Sequence, residues 1–259
     1  MNRQPAVAGT FYPANPNRLH SMIEGYLQDA RTDAVPPKAI IAPHAGYIYS
    51  GPVAASVYAR LEKAKDKITR VVIIGPSHRV GFRGLAVSHA TAFATPLGDV
   101  DVDRAAIEQI AQLPYVEYIE QAHAYEHSLE VHLPFLQETL EDFKIVPIVA
   151  GDASPEQVAQ VLDYLWGGEE TLIVISSDLS HYHDYATAKR LDRLTSEKIE
   201  KREYESIDSN AACGKVPVNG LLKLAREKGL TIKTIDLRNS GDTAGDKSRV
   251  VGYGAYVIE

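Results

Sequence analysis

Cysteine is almost absent. Cys213 is the one thiol among 259 residues, so no internal disulfide can form and nothing points to an oxidising compartment. Long apolar runs are missing as well. None approaches the roughly 20 residues needed to span a bilayer, and the opening MNRQPAVAGTFYP lacks the apolar core of a secretory signal. The expectation is a cytoplasmic protein with no membrane partner. Positive charge is scarce: 27 Lys and Arg against 34 Asp and Glu leave a net −7, with no basic cluster, which argues against nucleic acid as a partner. Linkers rich in Gly, Ser or Pro, low-complexity tracts and repeats are all lacking, so residues 1–259 read as one domain. There is also no G-x-S-x-G elbow, no P-loop, no G-x-G-x-x-G and no C-x-x-C. Serine-hydrolase, nucleotide-binding and dithiol-redox functions therefore lose their usual signatures.

What is present is a chain of ordinary globular composition, 45% hydrophobic and 24% charged. Short runs rich in Ile and Val at 38–42, 70–74, 144–149, 171–175, 231–237 and 250–258 predict buried strands. Helical spacing is found at about 16–30, 52–64, 103–113, 128–141, 154–166, 184–205 and 217–228. This alternation predicts an α/β sandwich around a mostly parallel sheet covered on both faces, with antiparallel strands added by the meander-like 84–102 segment.

Polar loops follow four of these strands: Pro43-His44-Ala45-Gly46-Tyr47, Gly75-Pro76-Ser77-His78, Ser176-Ser177-Asp178-Leu179-Ser180-His181 and Arg238-Asn239-Ser240-Gly241-Asp242. Ligands of open α/β sheets bind beyond the carboxyl ends of strands, so the four loops point to one crevice. His44 and His78 stand in equivalent positions, where rigid strand ends can support metal-ligating imidazoles. Asp178, three residues before His181, can orient that ring as a general base, or else cap a following helix together with Ser180. Asp242 lies in a turn where Asp is common without function. His123, Glu126 and His127 fit the H-x-x-E-H pattern of inverted zinc peptidases, although the amphipathic pattern begins only after His127, with Ser128 as its start signal. Cys213 precedes a helix, whose positive end lowers thiol pKa values, and is alternatively a buried structural thiol.

Taken together, Ala42 to Tyr47, Gly75 to His78, Glu126 to Phe135 (EHSLEVHLPF), Ser176 to His181, Cys213-Gly214 and the N-terminal Ala8 to Pro13 (AGTFYP) resemble the Memo family over nearly the whole chain. In bacteria and archaea such proteins are called AmmeMemoRadiSam system protein B, for co-occurrence with an AMMECR-type protein and a radical SAM protein. The resemblance implies a fold similar to the catalytic subunit of class III extradiol dioxygenases, which use Fe(II) held by two His and one carboxylate. It implies His44 and His78 as metal ligands, His181 as acid/base and His127 as a second active-site histidine. Animal relatives place a Cys at the third ligand position. Here Gly241-Asp242 stands in that stretch, and Asp242 restores two His and one carboxylate, a set suited to iron(II). Copper and zinc are the other candidate ions. Two functions of different class stay open. One is a metal-dependent, dioxygenase-like oxidoreductase acting on a small oxidisable ligand, with Asp178 orienting His181. The other is a scaffold that recognises a peptide or protein in a crevice without turnover. The zinc peptidase is a third.

Overall fold

The structure, a computed structural model, describes residues 1–259. Runs of Ile and Val, stiff at the β-carbon, favour extended backbone when both faces are covered. The strands are β1 (Asn2–Arg3), β2 (Ala39–Ala42), β3 (Arg70–Pro76), β4 (Leu85–Val87), β5 (Ala92–Thr95), β6 (Gly98–Asp101), β7 (Val116–Tyr118), β8 (Lys144–Ala150), β9 (Thr171–Ser176), β10 (His181–His183), β11 (Ile232–Asn239) and β12 (Val250–Ile258). The nine α-helices are α1 (Pro16–Asp29), α2 (Tyr47–Tyr58), α3 (Arg104–Ile110), α4 (Glu120–Ala124), α5 (His132–Thr139), α6 (Pro155–Tyr164), α7 (Tyr185–Glu200), α8 (Lys215–Lys228) and α9 (Ser240–Thr243). All six strands expected from the sequence are found.

The main sheet runs β10-β12-β2-β9-β3-β8-β4-β7, with β11 also paired to β12, while β1, β5 and β6 form a separate small sheet. Its centre is parallel: β2 pairs β9, β9 pairs β3 and β3 pairs β8. Its flanks are not. β12 runs antiparallel to β2 and β11, β10 runs antiparallel to β12, and β4 runs antiparallel to β8. The sheet is thus mixed where a mostly parallel one was expected, because the short connection from β11 through α9 returns the chain beside itself without a helical crossover. The 84–102 segment splits between the sheets, β4 joining the large one and β5–β6 making an antiparallel pair in the small one.

Ala39, Ile40, Ile41 and Ala42 of β2 are all at most 1% exposed, so neighbours of both pleat directions are buried and both faces are covered. Helix α8 lies against β3 and β9 and carries α6, while α2 lies against β11 and β12 and carries α1 and α5. Starts and stops follow local chemistry. Ser154 and Gln157 form a capping box on α6, and Gly229 closes α8 with φ +69°. Two helices depart from expectation. Helix α2 begins at Tyr47 and runs through Pro52, ahead of the helical spacing expected at about 52–64. The segment 128–141 is helical only from His132, because the Glu126 carboxylate accepts the N–H groups of His127 and Ser128 and holds a turn there.

The N-terminal segment is tied down by one buried carboxylate. Glu130 accepts from the Arg3 guanidinium, from Ala6 N (2.7 Å), from Val7 N (2.9 Å) and from the Tyr12 hydroxyl (2.7 Å). Arg3 also donates to the carbonyls of His123 and Glu126, at 3.0 and 2.6 Å. Removing one member of such a pair strands the other in low dielectric. Glu130→Ala is expected to cost about 3–5 kcal/mol in urea unfolding and to abolish hydrogen-exchange protection of the Ala6 and Val7 amides.

Candidate metal centre

Because β2, β9 and β3 are parallel neighbours, their carboxyl ends share one edge. Residues just past those ends converge. His44 follows β2, His78 follows β3 and Asp178 follows β9, while His127 arrives from the turn after α4. A ligand nitrogen from each of His44, His78 and His127 lies within 4.8 Å of the others. The rings of His78 and His127 stack with centroids 4.5 Å apart, and His44 meets them edge-on at 5.1 and 5.4 Å.

His44 is buried. Its ring Nδ1 lies 2.7 Å from Ser176 Oγ, and its backbone N–H donates to Asp178 Oδ1 at 2.8 Å. Burial, reinforced by the neighbouring His78 and His127, holds the imidazole well below its ordinary pKa, so it is neutral and carries a lone pair. His78 is half-exposed and is held by Glu126, which accepts both its backbone N–H (2.5 Å) and its ring Nδ1–H (2.8 Å). Burial works to raise the Glu126 pKa, but hydrogen bonds from His78 and Ser128 outweigh it and lower the group from 4.5 to about 2. With Nδ1–H given to a carboxylate, the Nε2 lone pair of His78 is left free and the ring's orientation is fixed. His127 has no such anchor, its Nδ1 lying 3.6 Å from Glu126 Oε1. It is placed by stacking, between His78 and the ring of Phe11 at 4.7 Å.

A second set shares His44: Nε2 lies 3.3 Å from Cys213 Sγ and 3.8 Å from Asp178 Oδ2. Gly214 makes this approach possible, since a Cβ there would come within 2.4 Å of the Ser176 carbonyl. Cys213 does precede α8, yet burial and then the Asp178 charge push its thiol up to about 12, so the helix end does not win. Burial also raises Asp178.

The remaining candidates go elsewhere. Asp242 is exposed, its carboxylate taking the Tyr185 hydroxyl at 2.5 Å and Asn239 N at 3.0 Å as the capping box of α9. It is not among the groups gathered around His44 and His78, where the neighbouring donors are His127 in one cluster and Asp178 with Cys213 in another. The orienting bond expected from Asp178 to His181 is absent too, Asp178 being engaged by His44. Nor do Asp178 and Ser180 cap a helix, because α7 starts later, on Asp184. His181 lies half-buried on β10, near enough for its charge to weigh on His44 and Asp178. Beside it Tyr182 has φ +65°, a strained conformation of the kind that gathers at functional sites. His123 sits on α4 with Nε2 donating to the Ala86 carbonyl at 2.9 Å, apart from His127, which removes the H-x-x-E-H zinc arrangement.

A family model described as Memo-like protein matches residues 3–257. The chain belongs to the Memo family. Among relatives described as MEMO1 family proteins, one from Aquifex aeolicus is 39% identical over 97% of both chains. One from Ignicoccus hospitalis is 40% identical over 98% of this chain and 97% of its own. A solved structure of an uncharacterized protein from Escherichia coli K12 shares the fold with TM-score 0.52 at 13% identity, covering 85% of this chain and 98% of that one. No helix of this Memo-family chain is long and apolar enough to cross a membrane.

In the sequence Glu126 stands out as the peptidase-pattern glutamate and as a member of the EHSLEVHLPF motif, but its anchoring of His78 and the roles of Ser176 and His132 do not, since serines and histidines carry no spacing signature when they act as buried supports. His132 was legible as part of EHSLEVHLPF, a motif with more histidine than a helix face needs.

His123 and His132 make stability depend on pH. Burial lowers their pKa values from 6.5 to about 4 and about 3. The unfolded chain therefore takes up these protons first, and stability falls as pH drops from about 6.5 toward 4, by roughly 3 kcal/mol for His123. Urea unfolding across this window should show the loss, and His123→Gln should flatten part of it.

Proposed function

We propose that this Memo-family chain is a non-haem metal protein with a dioxygenase-like redox site, its ion held by His44, His78 and His127. One observation carries the reading: three imidazole nitrogens within 4.8 Å of one another at adjoining strand ends, close enough for small ring rotations to bring them onto one ion. The donor set fits, because neutral imidazole suits iron, copper and zinc. Iron(II) is the proposed ion, with a buried carboxylate, Asp178, 3.8 Å from His44 Nε2 and copper or zinc the competitors. Bound there, such an ion supplies Lewis acidity and one-electron redox chemistry.

The protein's own groups prepare the site. Glu126 and Ser176 each occupy an Nδ1, directing Nε2 of His78 and His44 inward. Asp178 fixes the His44 backbone. His181 is the residue proposed to take a proton from a small oxidisable ligand, its half-buried ring lying near the Asp178 charge. A groove of about 710 Å³, lined by Phe11, Tyr12, Tyr47 and Tyr49 and reaching the trio through the contact of Phe11 with His127, is apolar enough to seat a small aromatic. The same groove supports the alternative, peptide recognition without turnover, since Ile48 is 52% and Tyr49 38% exposed along it. Naming as AmmeMemoRadiSam system protein B, similarity to class III extradiol dioxygenases and association with AMMECR-type and radical SAM proteins are parts of this proposal that rest on the family resemblance, and a cytoplasmic address is proposed from the lone cysteine and short apolar runs of the sequence.

Metal content by mass spectrometry, on protein purified without chelator, tests the site. His44→Ala and His78→Ala should abolish stoichiometric metal, Asp178→Asn should weaken binding by roughly 10 to 100-fold, and Asp242→Asn should leave it unchanged. Loss of metal in Asp242→Asn with retention in His44→Ala would sink the trio. Oxygen-electrode measurement on iron-loaded protein with a panel of catechols and thiols then separates enzyme from scaffold: His181→Phe should keep iron and lose roughly 10² to 10⁴-fold in uptake.

A further inference from the structure

Behind the imidazoles lies a run of polar side chains that the metal reading does not itself require. Ser176 Oγ is fully buried and has three partners: the Ser128 carbonyl at 2.7 Å, His44 Nδ1 at 2.7 Å and His132 Nε2 at 2.9 Å. Beyond it, His132 Nδ1 lies 2.7 Å from the Tyr58 hydroxyl. Tyr58, His132 and Ser128 are all at most 1% exposed, so water cannot complete any of these bonds. A hydroxyl has one proton and two lone pairs. The Ser128 carbonyl can only accept, so the Ser176 proton goes there and both imidazoles must donate to Ser176. His132 is then protonated on Nε2, which leaves Nδ1 to accept from Tyr58. His44 is protonated on Nδ1, which leaves Nε2 an unprotonated acceptor facing His78 and His127, 3.3 Å from the Cys213 thiol, which can only donate to it.

We infer that Ser176 is a positioning residue that, with His132 and Tyr58 behind it, locks His44 in the Nδ1–H tautomer and holds its Nε2 lone pair in the site before any ligand arrives. The opposite tautomer would turn a lone pair toward Ser176, pull its proton off the Ser128 carbonyl and strand a buried acceptor, at a cost of about 1–3 kcal/mol. The value of the lock for metal affinity rests on the reading of the trio as a metal site, whereas the lock itself does not.

The test is two-bond ¹H–¹⁵N correlation spectroscopy on metal-free, ¹⁵N-labelled protein, which distinguishes protonated from bare ring nitrogens. Wild type should show His44 protonated on Nδ1 and His132 on Nε2. His44 protonated on Nε2, or both tautomers populated, would overturn the inference with no variant needed. In Ser176→Ala the His44 signals should become a mixture of tautomers, and Ser176→Thr, which keeps the hydroxyl, should restore the single form. A single Nδ1–H form surviving in a folded Ser176→Ala would also overturn it. Calorimetric titration with zinc(II) separates the two readings: Ser176→Ala should bind roughly 10 to 100-fold more weakly than wild type. Unchanged affinity counts against Ser176 as a positioning residue while leaving the trio intact. A wild type that binds no zinc but shows the expected tautomers removes the trio's metal role and upholds the lock.

Discussion

Three parallel strands lying side by side must end on one edge, and the site depends on that constraint. β9 lies between β2 and β3, with Ile41 and Ile74 both in register with Ile175. In each case the polar residue of interest is the second one after the strand: His44 after Ala42, His78 after Pro76, Asp178 after Ser176. Counted from the registered Ile41, Ile175 and Ile74, His44 and Asp178 lie three residues on and His78 four, so similar short offsets bring the three segments to one edge without any loop having to fold far. The covered faces of the sheet then set the electrostatics, since the rings enter a region from which water is largely excluded.

Burial on these terms would be costly for charged imidazoles, and the molecule avoids the cost by keeping them neutral. His44, His127 and His132 are all lowered, chiefly by desolvation. The compensating negative charge is concentrated on Glu126, whose carboxylate collects three backbone N–H groups and one ring N–H. His44 faces a neutral hydroxyl where His78 faces a carboxylate, so two rings of similar placement are held by different partners, and the site is asymmetric even before its third donor is counted.

The strand runs were legible because β-branched residues repeat where both faces are buried, and the polar loops stood out against them. His44, His78 and Asp178 followed from that contrast. Asp242 did not. Its neighbourhood matched a ligand position by resemblance, but three residues from Asn239 a carboxylate has a nearer use in closing a capping box, and local chemistry took it. His127 followed from the family motif and not from spacing, because the amphipathic pattern begins only after it, and a buried carboxylate accepting the next two N–H groups makes a turn that propensity does not reveal. The antiparallel direction of β10, β11 and β12 was likewise unreadable, because direction depends on how a connection returns and not on the apolar run itself.

The turn that bears Glu126 and His127 is steadied from behind by the N-terminal segment. Arg3 divides its donors among the carbonyls of His123 and Glu126 and the carboxylate of Glu130, which pins both ends of the turn to one planar guanidinium. Glu130 in turn gathers Ala6, Val7 and Tyr12, and the chain between them delivers Phe11 against His127. Phe11 is thus the wall on which the least anchored imidazole leans, and its own position is set by an ion pair near the opposite end of the turn. Since His127 makes no hydrogen bond to Glu126 through its ring, its orientation is governed by this packing. The geometry of the trio is consequently coupled to Arg3 and Glu130, residues that touch none of the three ligand nitrogens.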